Sequence, residues 1–271
     1  MNKGGGSLAL WGYRLKGERV VAKGKRDIAG LHRANETTAR LLRDLASRAQ
    51  PGVTTGALNA YAAAYIRRIG GEPVFHTQNG FPGCINTSVN DEAVHGVPGD
   101  RVLLEGDLLK IDCGLRLDGY CGDSTITLGV GRQDRLAARR REVMEAAREA
   151  LARGITAAQV GKRTGDVGHA MQSYVEGRGM HLLRQFTGHG LGRRLWEAPS
   201  VPAVGTPGTG SRLVEGLVFT IEPIVVGGSA DVYTAPDGWT ILTADSAPAA
   251  QFEHTIMVTA HGPRVLSRLA V

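Results

Sequence analysis

Apolar residues recur along this chain at two periods, and the switches between them outline a fold. From Asp27 to Arg48, Ile28, Leu31, Ala34, Thr38, Leu41, Leu42 and Leu45 fall three or four apart, the spacing of one helix face. Proline and glycine in QPGVTT stop that helix. Thr54 or Thr55 can cap a second one, which carries Leu58, Tyr61, Tyr65, Ile66 and Ile69 and ends at Gly70 and Gly71. The same order returns about a hundred residues later. A helix runs from about Asp134 to Arg153, with Leu136, Val143, Met144, Ala147 and Leu151 on its apolar side. The triplet GIT follows at 154–156, then a second helix ended by the glycines of EGRGM. Each copy leads into glycine-rich, strand-like segments, which predicts an internal duplication. Two halves packed together make a cleft near their pseudo-twofold axis, a favoured place for a ligand. No linker separates them, so the expectation is one domain over 21–271 behind a flexible lead-in over 1–20.

The period shortens to two in LLKIDCGLRLDGYCGDSTITLGV, where two alternating arms flank an Asp-Gly pair. That pair predicts a two-residue hairpin turn at Asp118 and Gly119. The turn sets the register: Leu117 faces Tyr120, Gly114 faces Asp123, and Asp112 faces Thr125. Asp112 and Asp123 then share one sheet face as diagonal neighbours, roughly 7–8 Å apart at the backbone. Glu222 in LVFTIEPIVV and Glu253 in AAQFEHTIMV are lone carboxylates in apolar strands, where a bare charge needs a partner. That partner can be an arginine or a cation; neither strand carries a basic residue of its own except His254, on the opposite face. In TGHGLGRRLW, His189 stands between two glycines and Trp196 follows.

Composition narrows the class. Hydrophobic residues at 42% of 271 suffice for a sizeable core, and no apolar run approaches the ~20 residues of a membrane span. No signal-peptide pattern opens the chain. Three cysteines, Cys84, Cys113 and Cys121, lack metal-binding spacing and fit a reducing cytoplasm. The net charge of +6 gathers in RLAARRREVMEAAREALARG, whose arginines fall mainly on the outer face of the predicted helix. A solvated face explains them, and no specific nucleic acid is expected. Two aspartates, two glutamates and one histidine suit divalent ions such as Mn, Fe, Co or Zn, and four carboxylates are enough to bridge two of them. Such paired ions activate a water for hydrolysis.

These residues resemble the type I methionine aminopeptidases, pita-bread metallopeptidases. The resemblance is carried by SVNDEAVHGVP (88–98), KIDCGLRLDGYCGDST (110–125), FTGHGLGR (186–193), VFTIEP (218–223) and QFEHTIMVT (251–259), and spans roughly 25–268. It implies an α+β pita-bread fold, an antiparallel sheet with flanking helices in two pseudo-twofold related halves. It implies that Asp112, Asp123, His189, Glu222 and Glu253 hold two divalent metals. Asp123 and Glu253 would bridge them, and the glycines beside His189 would leave room for metal and peptide. A metal-bridging water would attack the first peptide carbonyl, with Glu222 as general base and His95 hydrogen-bonded to the scissile peptide. Phe81, Phe186 and Trp239 would line an apolar pocket for the methionine side chain.

The implied function is removal of N-terminal methionine from nascent proteins and peptides with small second residues. The implied partners are those N-termini and, through the arginine-rich helix, the ribosome; a monomer without membrane contact is expected. Trp196 departs from the family, which has a second histidine there; an indole donates one N–H and cannot take a proton. Reduced or altered activity follows from that change. Asn86 replaces a common cysteine, and Leu195 and Gln78 replace aromatics. Two other readings share the fold: an X-Pro aminopeptidase or dipeptidase, and a catalytically weakened binding protein.

Overall fold

The computed structural model describes residues 19–268, the side chains of residues 78 and 79 excepted. Most of the 1–20 lead-in, and the Gln78 side chain, therefore lie outside the described residues. The first helix, α1 (Lys25–Arg48), buries Leu31, Ala34, Thr38, Leu41, Leu42 and Leu45 as their spacing predicts. Between the two candidate caps of α2 (Thr55–Arg68), the hydroxyl of Thr54 takes the role and accepts from Ala57 N at 3.1 Å. A short α3 (Val74–Asn79) follows, with Gly80 in the left-handed region at its end.

The second helix pair is α4 (Ala138–Ala157) and α5 (Thr164–Glu176), and here the sequence expectation needs correcting. GIT at 154–156 is not a break between helices but the last stretch of α4. A Cβ on Gly154 would lie 2.9 Å from Met171 Sδ and 3.0 Å from Ile221 Cγ2. The glycine therefore admits a neighbouring helix and strand rather than ending its own helix. The true counterparts flanking the two second helices are isolated antiparallel bridges, Thr54 with Val102 and Arg163 with Arg212.

The strands form antiparallel sheets in both halves, which makes the fold α+β. In the first half, Leu108–Leu117 pairs with Ile85–Val89 and Glu72–Pro73 on one side and with Tyr120–Gly129 on the other. The second half is a five-stranded sheet in the order Gly262–Val265, His254–Thr259, Val218–Ile221, Thr187–Gly190, Glu197–Pro202. Helix α1 lies on the first hairpin so closely that a Cβ on Gly122 would sit 2.5 Å from Thr38 Oγ1 and 2.6 Å from the Ala34 carbonyl. Helices α4 and α5 cover the second half through Val143, Met144, Ala147, Val167 and Met171, which pack with Phe219 and Ile221.

A seam along Tyr120–Gly129 joins the halves. Glu253 N donates to Thr125 O at 2.9 Å, Thr255 Oγ1 to Asp123 O at 2.9 Å, and Ser124 Oγ to Glu253 O at 2.7 Å. These bonds satisfy an edge that would otherwise be buried without partners. Cys84, Cys113 and Cys121 are free thiols. Among the described residues, no helix is long and apolar enough to cross a membrane.

Candidate metal centre

The hairpin delivers the first two carboxylates in the register its sequence predicts. Asp118 and Gly119 turn with φ of 51° and 77°, as a type I′ turn requires. Gly114 then pairs with Asp123 and Asp112 with Thr125. Asp112 is held from both sides: its Oδ2 accepts from Asn86 Nδ2 at 2.9 Å and its Oδ1 from Thr125 Oγ1 at 2.9 Å. Thr125 Oγ1 also lies 2.8 Å from Glu253 Oε2. One hydroxyl has one proton, so it serves one of these two carboxylates at a time.

The second half supplies the rest. Glu222 follows the strand Val218–Ile221 directly and Glu253 precedes His254–Thr259 directly. Because Ile221 pairs with His254, the two glutamates emerge side by side. Thr220 Oγ1 donates to Glu222 Oε1 at 2.8 Å and accepts from His189 N at 3.0 Å. His189 Nε2 stands 3.5 Å from Asp123 Oδ2 and 3.7 Å from Glu222 Oε1. Its Nδ1 is 3.1 Å from Gly190 O, an acceptor, which assigns the ring proton to Nδ1 and turns the Nε2 lone pair toward the carboxylates. A lone pair facing carboxylates is repulsive unless a cation or proton sits between them.

The flanking glycines do a different job from the one expected. A Cβ on Gly188 would lie 2.3 Å from Thr220 O, and one on Gly190 2.2 Å from Ala198 O. They let the histidine strand press between its neighbours.

The electrostatics test whether a cation fits. Among the described residues, Glu222 and Asp123 lie at ion-pair distance from His189 and from no arginine or lysine. Burial lifts Asp112 to about 6 and Glu222 to about 8, and burial together with the neighbouring carboxylates lifts Asp123 and Glu253 well above their ordinary values. Burial lowers His189 to about 4. Asp123 Oδ1 and Glu253 Oε1 are buried with no hydrogen-bond partner. Asp123, His189 and Glu253 each offer a ligand atom within 4.8 Å of one another. Buried carboxylate oxygens left unpaired around one imidazole nitrogen form a donor set that a divalent cation completes. The residues fit the group.

The residues expected to hold substrate fall into separate pairs. His95, at φ 59° just past the strand Glu92–Val94, meets Phe186 edge-on with centroids 5.6 Å apart, and burial lowers it to about 4. Phe81 meets Trp239 edge-on at 5.2 Å. The pairs lie on adjacent segments, because Val94 pairs with Ile241 and Val97 N donates to Thr240 Oγ1 at 3.3 Å. Trp196 stands 6.2 Å from His189, tilted by 68°, and packs with buried Leu191 and Leu195.

Several supporting residues were not anticipated from the sequence. Thr125 and Thr220 orient carboxylates, as above. Asn35, fully buried on α1, accepts Asp123 N at 3.2 Å through Oδ1 and donates to Leu31 O at 2.9 Å through Nδ2. An asparagine on the apolar face of a helix was the available signal.

Comparison with known proteins agrees with this geometry. A model of metallopeptidase family M24 matches residues 29–260. Methionine aminopeptidase 1 of Bacillus subtilis is 39% identical over 250 residues, which cover 92% of this chain and 100% of that protein. The crystal structure of methionine aminopeptidase from Rickettsia prowazekii matches with a TM-score of 0.89 and 34% identity, over 92% of this chain and 100% of that one. Prolidase from Pyrococcus furiosus shares the fold at a TM-score of 0.73 and 23% identity, and this chain covers 66% of it.

Proposed function

The chain belongs to metallopeptidase family M24, and on that premise we propose that it removes N-terminal methionine from peptides and nascent proteins with small second residues. The carrying observation is the buried cluster Asp123, His189 and Glu253 at the seam, with two carboxylate oxygens left unpaired and half-buried Asp112 and Glu222 beside it. Asp123 and Glu253, which carry those oxygens, are the residues that would hold the divalent ions most directly. Asp112 and Glu222 flank them and His189 completes the set. Ions drawn from Mn, Fe, Co or Zn would lower the pKa of a water and polarise the peptide carbonyl.

The chain's own groups do the rest. Glu222, fixed by Thr220, is raised toward neutrality in the metal-free chain and is suited to take the proton of the attacking water and pass it to the leaving amine. His95, kept neutral by burial, is the residue we assign to hydrogen-bond the scissile peptide. Phe81 with Trp239, and Phe186 beside His95, offer aromatic edges to a thioether.

The retained ligand set argues against a binding protein that has lost catalysis. The prolidase likeness carries the fold and no substrate. On α4, Arg139, Arg148 and Arg153 pair with Glu142, Glu145 and Glu149, which supports a solvated face over a polyanion contact, so ribosome binding is left out of the proposal. We propose a monomer working in the cytoplasm, which the three free thiols suit.

Release of methionine from Met-Gly-Met-Met by protein loaded with Co or Mn, abolished in Glu222→Ala, is the expected result. A wild-type protein that binds metal yet releases nothing would overturn the reading.

A further inference from the structure

Lys110 is 2% exposed, and burying an ammonium is costly unless its donors are met. Its Nζ donates to two main-chain carbonyls, Asn90 O at 2.8 Å and Ala249 O at 2.9 Å. The two carbonyls come from different halves, and they are already linked, since Ala249 N donates to Asn90 O at 3.1 Å. Asn90 is itself fixed by further bonds: its Nδ2 reaches Asp107 Oδ1 at 2.8 Å and its Oδ1 accepts Leu108 N at 2.9 Å.

Each of the three segments meeting at this nitrogen leads to the centre. Lys110 shares a strand face with Asp112, two positions on. The turn at Asn90 opens the segment that ends at His95. The strand Ala249–Gln251 runs into Glu253.

We infer that Lys110 is a positioning residue, a tethered amine bound by two carbonyls that sets the spacing between the Asp112 and Glu253 sides of the metal centre and holds the His95 segment against both. The inference rests on the proposed metal centre, whose own test is metal binding by the wild-type chain.

Two variants test it. Lys110→Met keeps the length and removes the donors; Lys110→Ala leaves a cavity lined by the two carbonyls. Calorimetric titration of the metal-free proteins with Mn is expected to show affinity about 10-fold or more weaker in both variants, the scale on which supporting residues act on metal sites. Turnover of Met-Gly-Met-Met is expected to lose kcat while KM stays within about twofold. Methylammonium added to Lys110→Ala is expected to restore Mn affinity, and tetramethylammonium, which has no N–H, is not. A lowered Tm with unchanged Mn affinity would make Lys110 a structural residue only and overturn the inference, as would failure of methylammonium to restore affinity. If Lys110→Met does not fold, Lys110→Ala refolded with and without methylammonium decides on the same terms. A wild-type chain that binds no Mn would count against the metal centre itself, and is read separately from the variant ratios.

Discussion

At the scale of single residues, Trp196 and Asn35 make opposite demands. Trp196 replaces a histidine of the resembling family and packs its indole beside His189. If the reaction needs a group that both donates and accepts a proton there, Trp196→His is expected to raise kcat by ~10²-fold, the scale of one electrophilic donor. Steady-state release of methionine from matched peptides measures this, and an unchanged rate would mean that one indole N–H suffices. Asn35 acts from outside the centre, as the acceptor for the backbone of Asp123. Asn35→Leu leaves that buried N–H unpaired, at a cost of ~1–3 kcal/mol, and frees Asp123 to shift. Both a lower Tm and weaker Mn binding are expected; a lower Tm alone would confine Asn35 to the core. Glu222 and Glu253 were legible because a charge inside an apolar strand stands out, Asp112 and Asp123 because the hairpin register puts them on one face, and His189 because two glycines flank it. Asn35 and Lys110 were not, because their partners lie 88 and 139 residues away and no local period marks them.

Among the elements, the hairpin was the most legible and GIT the least. An Asp-Gly pair admits few turn geometries, so every pairing from Leu117 with Tyr120 to Asp112 with Thr125 follows from it. A glycine near the end of a helical pattern is ambiguous, because it can stop a helix or admit a neighbour, and Gly154 does the second. Strands of two residues, Glu72–Pro73 and His181–Leu182, are too short to show a period at all. The contact of α1 with the hairpin makes its own prediction. In Gly122→Ala the new methyl would overlap the backbone of Ala34, which cannot rotate away. A loss of ~2–3 kcal/mol or more is expected from this overpacking, read as a lower urea midpoint. An unaltered midpoint would show that α1 can lift off the sheet without cost.

For the whole molecule, the carboxylates of the centre set a pH dependence whose steepness depends on metal. In the metal-free fold, burial raises Glu222 from 4.5 to about 8. Between those values the unfolded chain has released a proton that the folded chain keeps, so stability present below the lower one is lost as pH rises through the upper one. Burial lowers His95, His189 and His254 from 6.5 to about 4, which acts the other way below 6.5, and lowers Lys110 from 10.5 to about 7, which acts the other way above 7. Asp123 and Glu253, raised well above their ordinary values, act with Glu222 and outnumber the lysine, so metal-free protein is expected to lose Tm between pH 6.5 and 8. Bound Mn should flatten that slope, and so should Glu222→Gln. Thermal unfolding across this range, with chelator or with Mn, checks it; a chelated wild-type Tm that is flat or rising with pH would contradict it.

The seam also has a consequence in time. The bond from Thr255 Oγ1 to Asp123 O spans 132 residues, and the ligand set is divided between a hairpin made early and a strand made late. During synthesis the hairpin can bring Asp112 and Asp123 together on its own, yet half a ligand set gives a passing ion little to hold. Only when Glu253 has been translated can the halves zip together and the centre close. With the proposed ligand set, metal capture would report that nearly all of the fold is in place, and a chain interrupted before that strand would stay idle instead of cutting peptides half-formed.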